Sequence, residues 1–174
     1  SLHSMALVTL TTDWGLRDHY LAAFKGELIS RLPSIQLIDV SHQVDHFNIL
    51  QGAFVIKSTF EKFPTGTLHF IGISGNRSND KNKSIRNCLV VESQGHFFLG
   101  EDSGIFSLIL GDAPKKIYQL PSVNDSTGIH ELFLDVIASF VGGKSIREMG
   151  AEVSELQQSF LTQPTVDPNS IRGT

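Results

Sequence analysis

Asp13 stands where a carboxylate can bind a ligand. It follows an apolar run, Ala6 to Leu10, and precedes a helical pattern that starts near Asp18. The run suits a buried strand, so Asp13 falls at the strand's carboxyl end, where open α/β sheets form their crevices. There its two oxygens can accept hydrogen bonds from a vicinal diol such as a nucleoside ribose. The same carboxylate can instead cap the next helix or close a turn. Three more segments end apolar strands with polar groups: Asp39 with Ser41-His42, Ser74-Gly75-Asn76, and Glu101-Asp102-Ser103-Gly104. In a parallel sheet such loops share one edge and can face one crevice. Each alone is ordinary turn chemistry; four together predict a ligand site.

The elements that must hold these residues alternate. Asp18 to Leu32 carries Tyr20, Phe24, Leu28 and Leu32 at helical spacing, with Asp18 as N-cap and Pro33 as stop. Gln36 to Val40 reads as a strand, and Asn48 to Phe60 as a helix with Ile49, Ala53, Ile56 and Phe60 on one face. Thr67 to Ile73 is a third strand. Asn87 to Ser93 and His96 to Gly100 form a hairpin around Gln94-Gly95. A short helix over Gly104 to Leu110, a strand near Lys116 to Leu120 and a helix from about His130 to Phe140 follow. Ser145 to Met149 makes one more helical turn. The pattern predicts an α/β fold: a three-layer, mostly parallel sheet with helices on both faces. Residues 5–156 form this domain. Residues 157–174, with Pro164 and Pro168 and no clear period, read as a linker toward a further domain. Ser1 to Ser4, ahead of Met5, read as a remnant outside the native start.

The 174 residues fit one domain, with 40% hydrophobic content typical of a globular chain. A formal charge of -4 and the lack of a basic cluster argue against nucleic acid as a partner; Lys81, Lys83 and Arg86 are diluted by Asn and Ser. Cys88 sits in an apolar run and has no second cysteine to pair with, which suits a reducing cytoplasm. No segment has membrane-spanning length, and none reads as a signal peptide. Gly-rich phosphate loops and the Gly-x-Ser-x-Gly elbow are absent. His42, His46, His69, His96 and His130 are too dispersed for a zinc site, so no metal is expected.

At these same residues the chain resembles the S-adenosyl-L-methionine hydroxide adenosyltransferase family, which also contains the fluorinase and the chlorinase. The family's T-D-F-G-x-x-D-x-Y is similar to Thr12-Asp13-Trp14-Gly15 with Asp18 and Tyr20. Its I-D-I-S-H matches Ile38-Asp39-Val40-Ser41-His42, and its F-P-x-G-T matches Phe63-Pro64-Thr65-Gly66-Thr67. Lys25-Gly26 matches a Lys-Gly pair in the first helix. Asp102-Ser103-Gly104 is similar to P-D-N-G. Hydrolytic members carry V-D-P-G-V-G after the third strand, and the position of that Asp is Ser74 here; halogenating members lack the Asp too. The family's later Arg falls near Arg86. Its F-H-G-R-D has become Gly128-Ile129-His130-Glu131-Leu132-Phe133, with His130 on the Arg position or, after a two-residue shift, on the His. Ile171-Arg172-Gly173-Thr174 resembles the entry to the family's C-terminal β-rich domain, which suggests that this chain stops at that doorway.

The resemblance implies substitution at C5′ of S-adenosylmethionine, as substrate rather than cofactor. Water would attack, giving adenosine and methionine. Sulfonium leaves as a neutral thioether, so no general acid is needed. Orienting the water in line supplies about 7–11 kcal/mol. Ser74, Arg86 and His130 are the implied catalytic residues. Asp13 would hold the ribose diol, with Trp14, Phe47, Asn48, Asp102 and Ser103 around the nucleoside. Family members are homotrimers with sites shared between one subunit's N-terminal domain and a neighbour's C-terminal domain. Two alternatives stand beside this activity: a nucleoside-binding module that has lost turnover, and an α/β enzyme acting on another small metabolite.

Overall fold

The computed structural model describes residues 6–74, 86–124 and 126–156. Leu7–Thr12 forms β1, Tyr20–Arg31 α1, Gln36–Ser41 β2, Ile49–Thr59 α2 and Leu68–Gly72 β3. Cys88–Ser93 forms β4, His96–Glu101 β5, Ile105–Leu110 α3, Lys116–Gln119 β6, Ser126–Val141 α4 and Ala151–Val153 β7. The strands make one sheet in the order β2-β1-β3-β5-β4-β6-β7. Pairing is parallel from β2 through β5 and antiparallel beyond it. β1 and β3 are buried almost throughout, as parallel strands covered on both faces must be.

Crossover direction explains the three layers. The chain steps from β1 to β2 one way, then from β2 over β1 to β3 the other way. Right-handed crossovers taken in opposite directions leave their helices on opposite faces. Accordingly, Phe24 and Leu28 of α1 share a core with Phe133, Leu134 and Ile137 of α4. Ala53 and Ile56 of α2 share the other core with Ile105, Phe106 and Ile109 of α3. The expected α/β architecture, helices on both faces included, is present.

Several boundaries differ from expectation. α1 starts at Tyr20, and its N-cap is His19, whose side chain makes no capping bond. Asp18 instead faces the His19 ring at 2.9 Å. α4 begins at Ser126 rather than near His130, because Ile129 is buried and extends the apolar stripe by a turn. The turn after α4 is a 3₁₀ segment, Ile146–Glu148, capped by Ser145 Oγ. β7 has no counterpart in the sequence pattern. The expectations for Gly75-Asn76, Lys81, Lys83, the 157–174 linker and the first four residues lie outside the described residues.

Candidate active site

In the sheet β2, which follows β1 in the chain, lies on one side of β1, whereas the strands that follow β3 all lie on the other side of β3. That divergence opens a crevice at the carboxyl edge. A cavity of about 300 Å³ lies there, lined by Trp14, Tyr20, Ile71, Gly72, Ile73, Ser74, Arg86, Glu101, Ile129 and Phe133. The Trp14 ring meets Tyr20, Phe24 and Phe70 edge-on at 4.7, 5.1 and 5.8 Å. Gly72 makes room for it, since a Cβ there would lie 3.0 Å from Trp14 Cζ2. On its other side Trp14 joins Gly15, Leu16, Arg17, Asp18 and Gln43 around a second recess of about 400 Å³. The two hollows therefore share one aromatic wall.

Asp13 is only 8% exposed. Its backbone N–H donates to Gly72 O at 3.2 Å, and its Oδ2 accepts from the Phe47 amide at 3.1 Å. Phe47 adopts a left-handed backbone (φ 60°) to aim that amide. The His46 ring stands 4.0 Å from the same oxygen. One carboxylate oxygen thus organises the loop before α2. Asn48 is the N-cap of α2, accepting from Gln51 N at 3.0 Å.

A second polar chain holds the loop from beneath. Lys25 Nζ donates to Asp39 Oδ2 at 2.6 Å, and His42 Nε2 donates to Asp39 Oδ1 at 2.6 Å. Thr12 Oγ1 donates to His42 Nδ1 at 2.7 Å and accepts from Trp14 N at 3.3 Å. His42 O takes the Gly15 amide at 2.8 Å. The Nε2–H tautomer, assigned from this network, satisfies every group in it. Burial pushes the Asp39 carboxyl up, but the bonds from Lys25 and His42 outweigh it and hold the group below its ordinary value. A bulge makes the geometry possible. The β1–β2 register skips Val40 between Leu10↔Asp39 and Thr11↔Ser41, so Asp39 and His42 both turn toward Thr12.

Ser74, Arg86 and Trp14 therefore meet around one cavity. Asp13 is next to Trp14 in the chain but lines neither hollow. Asp102 and Ser103 follow Glu101 at the cavity edge, with Ser103 Oγ buried and unbonded among the described residues. Phe47 and Asn48 lie across Asp13, away from the lining. His130 does not line the cavity; its Nδ1 lies 2.9 Å from the Tyr20 hydroxyl oxygen. Of the polar lining residues, Glu101 stood in a rim segment read from the sequence without being singled out, and Tyr20 was read only as a helix position and a motif match. Among the described residues, no group of three His, Cys, Asp or Glu converges as a metal site would require.

Residues 8–150 match the family model of the SAM hydroxide adenosyltransferase N-terminal domain. The chain belongs to this family. An (R)-S-adenosyl-L-methionine hydrolase from Methanocaldococcus jannaschii is 31% identical over 108 residues, which cover 59% of this chain and 39% of that protein. The hydrolase of the same name from Salinispora tropica is 24% identical over 164 residues, 94% of this chain and 59% of its own. The chain thus spans well under two thirds of these relatives. A solved uncharacterised conserved protein from Thermotoga maritima superposes with a TM-score of 0.74 at 20% identity, over 87% of this chain and 59% of that one. A conserved hypothetical protein from Thermus thermophilus gives 0.70 at 20%, over 88% and 62%. Both share the fold. Ser74 follows β3 at the edge of this crevice.

Proposed function

We propose that this domain binds S-adenosylmethionine at the carboxyl edge of β1 and β3, and that water attacks C5′ to release adenosine and methionine. The observation that carries the reading is the meeting of Ser74, Arg86, Trp14 and Tyr20 around one cavity at the crossover divergence. At about 300 Å³ the cavity is at the small end for a ligand site, so the ligand extends past Trp14 into the neighbouring recess. Asp13 Oδ1 takes the ribose hydroxyls, and Trp14 stacks on the sugar or base. Arg86 and Ser74 face the reacting end, where Ser74 offers a hydroxyl but no carboxylate. Asp102 and Ser103 support that end from beside Glu101.

The family relation and the relatives' name support the activity. The homotrimer, with a neighbour's C-terminal domain closing the site, and the cytoplasmic setting belong to the same proposal. No helix among the described residues is long and apolar enough to cross a membrane. Incubation with S-adenosylmethionine, followed by chromatography, is expected to yield adenosine and methionine in equal amounts. Ser74 favours one other reading, a nucleoside-binding module without turnover. Calorimetry showing heat with adenosine, from protein that releases no methionine, would select it.

A further inference from the structure

Two ionisable groups stand directly behind the cavity wall. Tyr20 lines the cavity and gives its hydroxyl to His130 Nδ1 at 2.9 Å. The other ring nitrogen of His130 faces Glu27 Oε1 at 3.7 Å. The imidazole is mostly buried, packed against Tyr20 and Phe24 with ring centroids 5.2 and 5.3 Å away. Tyr20 and Glu27 are two turns apart on the same face of α1, so one helix presents both ends of the chain to α4. A proton on Nε2, facing the carboxylate, leaves Nδ1 as acceptor and Tyr20 as donor. The phenol oxygen then keeps lone pairs for a donor in the cavity. Burial, and then the Glu27 carboxylate, push the Tyr20 hydroxyl above its ordinary value, so it meets a ligand protonated.

Ser74 has no carboxylate to receive a proton. We infer that Tyr20, His130 and Glu27 form the proton relay of this site, serving the water that a carboxylate at position 74 would otherwise serve. This rests on the function proposed above. A lone pair of water forms the O–C5′ bond while the C5′–S electrons leave with sulfur, giving the neutral thioether of methionine. One water proton passes to Tyr20 Oη as the phenol proton passes to His130 Nδ1. The imidazolium, held against Glu27, later releases its proton to solvent. Tyr20 is the catalytic residue; His130 and Glu27 are positioning residues that act through it. Besides Glu27, the nearby charges are Glu131 on α4 and its partner Arg31 on α1, which also holds Asp135.

The test is turnover of S-adenosylmethionine by the full chain across about pH 5 to about pH 9, read as adenosine released. The wild-type kcat is expected to depend on pH, because the relay passes a proton. Tyr20→Phe should lower kcat about 100-fold with KM held within about twofold. His130→Gln should lower kcat and alter the pH profile, and Glu27→Gln, which removes the carboxylate facing the ring, should alter the profile with KM unchanged. If His130→Gln melts early, the other two variants decide, since each changes one half-exposed group. Tyr20→Phe and Glu27→Gln with wild-type kcat and profile overturn the relay and leave the function standing. A wild-type protein that releases no adenosine overturns both.

Discussion

In the proposed function, the Asp13 carboxylate serves the fold through one oxygen and the ribose through the other. Oδ2 is engaged by the Phe47 amide, so Asp13→Asn should cost about 1 kcal/mol of stability through a weakened buried hydrogen bond. The loss of charge at Oδ1 should lower adenosine affinity at least about tenfold, because charge-assisted bonds to the diol are the stronger kind. Calorimetry and a thermal melt measure the two effects separately; unchanged affinity would place the ribose elsewhere. Asp13, Trp14 and Ser74 were legible from their position after apolar runs, and Arg86 entered through the family likeness. Tyr20 and Glu101 were less legible, because a helix face and a strand end point into a crevice only once their neighbours are placed. Phe47 and Asn48 entered through the family likeness. The structure gives them the tasks of orienting Asp13 and capping α2, tasks that no spacing encodes.

Among the elements, β2 and β7 carry the sharpest consequences. The bulge at Val40 links β2 to the site loop through Asp39, His42 and Thr12. His42→Ala removes a buried ring and leaves Thr12 and Asp39 short of partners, so a loss of about 2–4 kcal/mol is expected in urea titration. The Asp39 carboxyl lies below its usual value when folded. Its contribution is therefore complete above about pH 4 and is lost as pH falls through the lowered folded value. Asp39→Asn should remove that part of the acid sensitivity; identical acid limbs in variant and wild type would show that the pair adds nothing. At the far edge, a Cβ on Gly150 would run into the Gln119 carbonyl of β6. Gly150→Ala should cost about 1–3 kcal/mol by forcing β7 off the sheet, read as lost amide protection over Ala151–Val153. The long, strongly periodic elements could be read from sequence. The three residues of β7 could not, because so short an edge strand exists only through its neighbour.

Across the domain, two cores sandwich the sheet, and a polar pair is buried at the end opposite the site. Thr9 Oγ1 lies 2.7 Å from His69 Nδ1, and His69 Nε2 lies 3.1 Å from His96 Nδ1. Burial, with His96 adding to it, pushes His69 down to about 3. Burial also lowers His96, against the opposing pull of Glu61. Both rings thus stay neutral when folded, whereas an unfolded imidazole takes its proton near about pH 6.5. Stability is complete above that pH and falls as pH drops from about 6.5 toward about 3. Urea titrations at about pH 7 and about pH 5 should show this loss in the wild type and a smaller one in His69→Gln. Parallel behaviour of the two proteins would exclude the pair as its source.

Apolar periodicity, turn residues and the order of strands and helices settled the α/β class and put polar groups at one rim of the sheet, because those features follow from local backbone preference and the need to bury one face of each element. Which rim residues touch was decided only by packing. Crossover direction opened the crevice between β1 and β3, and the bulge in β2 turned Asp39 and His42 toward Thr12. The meeting of α1 with α4 placed His130 behind Tyr20, 110 positions away in the chain. Contacts over such separations depend on how helices seat against a twisted sheet, and local spacing carries no record of that.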